Sequence, residues 1–132
     1  MKLQRRQFLH LATGSAALPA LPRATAQTYP TRPVRIIVGF APGGAPDIVA
    51  RLLAPSLAER LRQPIVVEKR TGAGSNIATE AVVNEPPDGH TLLLVSPPNF
   101  VNATLYEKLN YNFIRDIAPV AGLIRVPNVM EE

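Results

Sequence analysis

The sequence predicts an α/β fold with a mostly parallel sheet and helices on both faces of that sheet. Three short apolar runs alternate with segments whose apolar residues recur at helical spacing. The order strand, helix, strand, helix, strand requires right-handed crossovers, which place helices against both faces of a parallel sheet. Each run also ends in a loop rich in glycine, proline or asparagine, as expected where a strand gives way to a helix.

The first strand and the first helix follow a short leader that contains two prolines. Residues 34–40, Val-Arg-Ile-Ile-Val-Gly-Phe, form a largely β-branched run of strand length. Apolar residues at helical spacing then predict a helix from Pro46 to Leu61. Pro46 suits the first turn, because the N–H that proline lacks would have no helical partner there. Pro55 removes the bond to the carbonyl of Arg51, so we expect a kink or a break at this point.

Two further strands and two short helices are predicted in the rest of the chain. The strands are expected at residues 64–69 and 91–95. A glycine-rich turn after the second strand leads into a short helix over residues 77–84, and residues 101–106 predict another helix after the third strand. Residues 117–126 are apolar enough for one more strand.

Residues 1–26 are predicted to be a cleavable signal peptide. They contain a basic stretch, an apolar stretch too short to span a bilayer, and the small-residue cleavage site Ala-Thr-Ala. Cleavage after Ala26 would leave residues 27–132 as an exported, periplasmic protein. The paired Arg5 and Arg6 resemble a twin-arginine signal, although an ordinary Sec signal with two arginines explains them equally well.

Composition excludes several classes of function for residues 27–132. Four of the fourteen lysines and arginines and none of the ten acidic residues lie in the signal, so the formal charge of +4 belongs to the signal and the remainder is neutral. A nucleic-acid or polybasic membrane partner therefore has no support. The chain has no cysteine, and His90, expected to be exposed beside a turn, is the one histidine after the signal. We therefore expect no metal site, no Ser-His triad and no cofactor.

Three loops are predicted to meet at the carboxyl edge of the sheet, where open parallel sheets bind ligands. Their glycines and helix starts offer backbone N–H groups, which favours an anionic group such as a carboxylate. No lysine or arginine lies within the loops, so oriented N–H dipoles rather than an ion pair would meet the negative charge. The alternative is that they are ordinary strand-to-helix turns, which use the same residue types. The candidate ligand-binding residues are Phe40, Pro42, Gly43, Gly44 and Asp47 in the first loop, Gly72, Gly74, Ser75 and Asn76 in the second, and Ser96 and Asn99 in the third.

Dinucleotide binding does not fit the second loop. The pattern Gly72-x-Gly74 follows a strand and precedes a helix, but the third glycine of the fingerprint would fall at Ile77. The first strand, where the fingerprint belongs, ends instead in Pro-Gly-Gly. The sequence also has neither a P-loop nor a Gly-x-Ser-x-Gly elbow.

A series of ordered motifs resembles one known family. The motifs are Tyr-Pro-x-Arg-Pro-Val-Arg at 29–35, Pro-Gly-Gly-x-x-Asp at 42–47, Val-Val-Glu at 66–68, Gly-Ala-Gly-x-Asn-Ile at 72–77 and Pro-Asp-Gly-x-Thr-Leu at 87–92. Together they resemble the substrate-binding receptors of tripartite tricarboxylate transporters, the Bug family. The resemblance implies a type II periplasmic-binding-protein fold, in which two lobes close on a small di- or tricarboxylate and deliver it to membrane permease subunits.

The resemblance also assigns the three loops to ligand binding, largely through backbone amides and bridging water. Pro46 stands where the family usually has a small polar residue, and Ser75 where glycine is common. Family members are much longer than residues 27–132, which we therefore expect to be an incomplete first lobe that binds weakly or not at all by itself.

Two other interpretations stay open. One is an exported small α/β enzyme, for which only Asp47 and Ser75 could supply a base or a nucleophile. The other is an interaction module that pairs with a separate second-lobe polypeptide through an unfinished sheet edge. The sequence does not name the organic acid or the permease.

Overall fold

The computed structural model describes residues 29–125, so the predicted signal peptide and its cleavage site lie outside the described residues. Within 29–125, no helix is long and apolar enough to cross a membrane. The elements, in order, are β1 (Val34–Val38), α1 (Ala45–Leu61), β2 (Ile65–Lys69), a 3₁₀ turn (Ala73–Ser75), α2 (Asn76–Val83), β3 (Thr91–Leu94), α3 (Pro97–Leu105) and α4 (Phe113–Asp116).

The sheet has three parallel strands in the order β2-β1-β3. Val34 of β1 lies opposite Ile65 of β2, and Ile36 of β1 lies opposite Leu92 of β3. Because all three strands run in the same direction, their carboxyl ends share one edge of the sheet. The predicted parallel sheet is therefore confirmed.

Helices cover both faces of this sheet. Ile36 and Val38 of β1 pack against α1 in the core cluster, while Gly39 lies directly against Ser75 at the start of α2. Since side chains alternate between faces along a strand, α1 and α2 lie on opposite faces. α3 contacts α2 and the 3₁₀ turn, so it lies on the α2 side. The adjacent strands β1 and β3 thus lead into helices on opposite faces, which is the condition for a ligand-binding crevice between them.

Of the kink or break expected at Pro55, the break does not occur. α1 continues without interruption from Ala45 to Leu61. Both Pro55 and Arg51, whose carbonyl loses its helical partner, are exposed, so water can bond that carbonyl. The helix therefore tolerates a proline on its solvent side.

The strand predicted at residues 117–126 is not found in the part of this segment that the structure describes. Residues 117–125 have no regular secondary structure and join no sheet, and Val120 is 81% exposed. Apolar composition alone does not specify a strand, because the backbone of a strand also needs a paired neighbour. The one-turn helix α4 just before this segment was not predicted.

His90 is buried, although an exposed position was expected. Its ring packs edge-on against Tyr29, and its Nε2 accepts a hydrogen bond from the Thr31 N–H at 3.3 Å. The carboxylate of Asp88 accepts from the His90 N–H and from Arg32, and these donors lower the pKa of Asp88 to about 2. This cluster lies at the amino ends of the strands and ties the segment before β1 to the turn before β3.

Candidate functional site

The three predicted loops contact one another at the carboxyl edge of the sheet. The Asn99 Nδ2 of the third loop donates to the Ser75 Oγ of the second loop at 3.0 Å. Gly39, which opens the first loop, lies so close to Ser75 that a Cβ at this position would come within 2.5 Å of the Ser75 Cβ. Ser75 therefore lies between the first and third loops.

Asp47 organises the first loop. Its Oδ2 accepts from the Gly43 N–H at 3.0 Å, and its Oδ1 accepts from the Arg51 Nε at 3.1 Å. The bond from Gly43 and then the bond from Arg51 hold the pKa of Asp47 below its usual range, although burial opposes them. Gly43 has a φ of 78°, which glycine adopts without strain. The buried carboxylate thus fixes the loop conformation, and Arg51 balances its charge.

We expect the Gly43 amide proton to report the ionisation of Asp47, with a midpoint below the ordinary aspartate value of about 3.9. The ionised carboxylate is the form favoured by this bond. The stabilisation from Asp47 is therefore present above the ordinary value and lost as the pH falls through the lower pKa of the folded state. An NMR titration of the Gly43 amide shift measures the midpoint. The Asp47→Asn variant should show no such step, and a wild-type midpoint at or above the ordinary value would contradict this account.

The second loop contains a left-handed turn, Ala73–Ser75, whose three residues have φ of 47°, 62° and 77°. Only the middle residue is glycine, and the left-handed conformation costs any other residue roughly 1–2 kcal/mol. The first bond inside the turn runs from the Ser75 N–H to the Gly72 carbonyl at 2.9 Å. The N–H groups of Ala73 and Gly74, which come before Ser75 in the chain, have no hydrogen-bond acceptor among residues 29–125. Both residues are exposed, which makes these two donors candidates for bonding a ligand.

Buried side chains from α2 and α3 hold this turn in place. Asn102 Nδ2 donates to the Gly74 carbonyl at 2.8 Å, and Thr79 Oγ1 donates to the Ser75 carbonyl at 3.0 Å. Asn99 Nδ2 donates to Ser75 Oγ and, at 3.1 Å, to Thr79 Oγ1. Thr79 is 0% exposed and Asn99 is 1% exposed. Such a buried and satisfied polar network rigidifies the groups that it joins.

The third loop keeps its donors within the protein. Asn99 Oδ1 accepts from the Ser96 N–H, and the Asn99 N–H donates to the Ser96 carbonyl, both at 2.9 Å. The two residues between them, Pro97 and Pro98, have no N–H to offer. The contribution of this loop to the edge is therefore the Asn99 side chain, which reaches across to the second loop.

Asn76 and Tyr111 extend the network on the far side of the turn. Asn76 Oδ1 accepts from Asn102 Nδ2 and from the Tyr111 hydroxyl, each at 2.9 Å. Burial raises the pKa of Tyr111, so this hydroxyl stays a donor. A cleft of about 210 Å³ lies on the same side, against Ala73, Asn76 and Tyr111. Of the three loops, only the second contributes residues to the lining of this cleft.

The eleven predicted site residues divide by burial. Those exposed at the edge are Pro42, Gly43, Gly72 and Gly74; those half-buried are Phe40, Gly44 and Ser96; and those buried with bonded side chains are Asp47, Ser75, Asn76 and Asn99. Thr79 and Asn102 were not predicted. Thr79 lies one helical turn after the predicted Ser75, and Asn102 lies one turn after the predicted Asn99. This spacing places each pair on the same face of a helix, and it could have identified both residues from the sequence. Within residues 29–125, no group of three or more His, Cys, Asp or Glu is placed to hold a metal ion.

This fold and site define one lobe of a periplasmic-binding-protein-type receptor, and solved structures of that type are similar to it. MatC from Rhodopseudomonas palustris, with bound malate, matches with a TM-score of 0.61 and 40% identity, covering 67% of this chain and 30% of that chain. Rpa4515 from R. palustris, with adipate, matches with a TM-score of 0.56 and 34% identity, covering 63% of this chain and 28% of that chain.

Sequence comparison defines the family more closely. The tripartite tricarboxylate transporter family receptor, TctC, matches residues 49–131. Protein BugT from Bordetella pertussis is 41% identical over 124 residues, which are 92% of this chain and 37% of BugT. The chain belongs to the TctC receptor family, as the resemblance predicted. It spans little more than a third of the length of this relative.

Proposed function

We propose that the chain is a solute-binding lobe of an extracytoplasmic receptor that binds a small organic acid for delivery to the membrane permease subunits of a tripartite tricarboxylate transporter. The observation that carries this proposal is that three loops meet at the crevice between β1 and β3. A hydrogen bond joins the second and third loops, and Gly39 of the first packs against Ser75 of the second. Ala73 and Gly74 are exposed residues of the second loop, and their N–H groups have no hydrogen-bond partner among the described residues. The two similar receptors hold malate and adipate, both dicarboxylates.

The electrostatics of the edge suit a carboxylate. The 17-residue helix α1 begins at Ala45, and its amino end carries partial positive charge. Lys69, the last residue of β2, also interacts favourably with the buried Asp47 carboxylate. Because Arg51 already balances Asp47, an incoming anion meets N–H dipoles and a nearby cation rather than an uncompensated negative charge.

The same contacts favour binding over catalysis. The Asp47 carboxylate is bonded to Gly43 and Arg51, and the Ser75 hydroxyl accepts from the Asn99 amide, which is not a base. The two residues that an enzyme would need are thus committed to the structure of the loops. The family to which the chain belongs is also one of receptors. We therefore propose a non-enzymatic, periplasmic protein, exported by the predicted signal and cleaved after Ala26.

The test is an NMR titration of the ¹⁵N-labelled chain with malate, adipate and citrate, with an uncharged diol of similar size as the control. We expect the acids to shift the amides of Gly44, Ala73 and Gly74 and to saturate only at millimolar concentration or above. A single lobe cannot close on the solute and exclude water, so the melting temperature should not change at lower concentrations. Shifts confined to other residues, or equal shifts with the diol, would refute the proposed site.

A further inference from the structure

We propose that Asn99 and Asn102 are positioning residues, which hold the left-handed turn Ala73–Ser75 so that its open N–H groups face the solute, and that neither side chain touches the solute. This inference rests on the proposed function of the three-loop edge. It divides the predicted site into backbone groups that contact the ligand and buried amides that place them.

The hydrogen-bonding capacity of the two amides carries the first step. A side-chain amide has two N–H donors. The Asn99 amide donates to Ser75 Oγ and Thr79 Oγ1. The Asn102 amide donates to the Gly74 carbonyl and Asn76 Oδ1. An anionic ligand needs donors, and these side chains have none left. They are also 1% and 5% exposed, so a solute at the surface does not reach them.

The conformation of the turn carries the second step. Ala73 and Ser75 are held at positive φ although neither is glycine. Such strain persists only where the surroundings over-determine the backbone. The bonds from Asn102 to the Gly74 carbonyl and from Asn99 to the Ser75 hydroxyl supply that constraint from α3. A preorganised turn binds better than a mobile one, because less conformational entropy is lost when the ligand arrives.

Asn99 also links two loops. Its Oδ1 accepts from the Ser96 N–H while its Nδ2 donates to Ser75, so the start of α3 and the left-handed turn are tied by one side chain. A change in the position of α3 is therefore transmitted to the N–H groups of Ala73 and Gly74 without any contact between α3 and the solute.

The experiment compares Asn102→Ala with the matched control Asn110→Ala. Asn110 also donates from its amide to a side chain of α2, to Glu80 Oε1 at 2.8 Å, but it is exposed and its side chain is not hydrogen-bonded to the turn. In the absence of ligand, NMR couplings should show Ala73 and Ser75 leaving the left-handed region in Asn102→Ala and staying there in Asn110→Ala. With malate as the probe, we expect Asn102→Ala to lose about tenfold in affinity and the control to lose none.

Two results would overturn the inference. One is an Asn102→Ala variant that keeps both the left-handed turn and the malate affinity. The other needs no variant. It is a titration of the wild-type chain in which malate shifts the side-chain NH₂ resonances of Asn99 and Asn102 and leaves the backbone amide resonances of Ala73 and Gly74 unchanged. The wild-type measurement therefore decides the contact even where Asn102→Ala does not fold.

The proposed function fails separately from this inference. If the wild-type chain responds to no carboxylate, the proposed function is wrong, but the ligand-free couplings still report whether Asn102 holds the turn. In that case an unchanged turn in Asn102→Ala refutes the positioning role, and a relaxed turn supports it.

Discussion

Replacing Gly39 by alanine is expected to destabilise the folded chain by about 2–4 kcal/mol. The added Cβ would overlap the Ser75 Oγ, approach the Ser75 Cβ to 2.5 Å and the Ala78 Cβ to 3.0 Å. Ser75 cannot easily give way, because its hydroxyl is bonded to Asn99 and its carbonyl to Thr79. The strand and the left-handed turn would have to separate, so the damage would reach the site as well as the core.

Urea unfolding followed by circular dichroism measures this effect. The matched control is Gly122→Ala, since a Cβ at Gly122 meets no atom within 4 Å; its unfolding free energy should change by no more than about 0.5 kcal/mol. The double variant Gly39→Ala with Ser75→Gly removes the overlapping atoms and should recover part of the loss. Equal unfolding midpoints for the two single variants would show that Gly39 is not packed tightly against Ser75 and Ala78.

The second large effect is expected from Asn99→Ala, at about 3 kcal/mol of lost unfolding free energy. The truncation removes the acceptor for the Ser96 N–H and the donor to Ser75 Oγ and Thr79 Oγ1 in one change. A buried polar group left without a partner costs about 1–3 kcal/mol. Water entering the vacated space would lower the total, but the site is fully buried and water must displace packed neighbours to reach it.

Asn110→Ala is the control for this variant too, because it removes an exposed amide bonded to Glu80. Its unfolding free energy should differ from that of the wild type by about 0.5 kcal/mol or less. Thermal and urea unfolding of the three proteins gives the comparison directly. If Asn99→Ala is no less stable than Asn110→Ala, the buried network does not hold the loops together.

Local signals in the sequence were sufficient for the three strands and for the helices α1, α2 and α3, although not for the one-turn helix α4. The apolar run that begins at Val34 and the helical spacing up to Leu61 predicted β1 and α1, since both patterns act within a few residues. The ordered series of motifs between residues 29 and 92 was sufficient for the family, which the relatives confirm. The eleven candidate residues all fall on the three loops or on the first turns that follow them, because parallel strands bring such loops to one edge.

Other features depend on surroundings that the sequence does not show locally. Pro55 is tolerated because it lies on the exposed side of α1, and His90 is buried because Tyr29 packs against it from a distant part of the chain. Residues 117–125 are apolar, yet no neighbouring strand pairs with them in the described structure. Each outcome was set by a neighbour, or by the lack of one, rather than by the residue itself.

The sequence by itself determined the α/β class, the receptor family and the three loops. Only the tertiary structure decided the strand order β2-β1-β3 and the separate roles of the loop residues. Asp47, Ser75 and Asn99 were predicted as ligand contacts because they are polar residues of the three loops at the carboxyl edge, but their bonding depends on partners elsewhere in the chain. Asn99 and Ser75 lie 24 positions apart in the chain and 3.0 Å apart between their bonded atoms. A long-range bond of this kind leaves no periodic trace in the sequence, whereas packing the helices on the sheet brings its partners together.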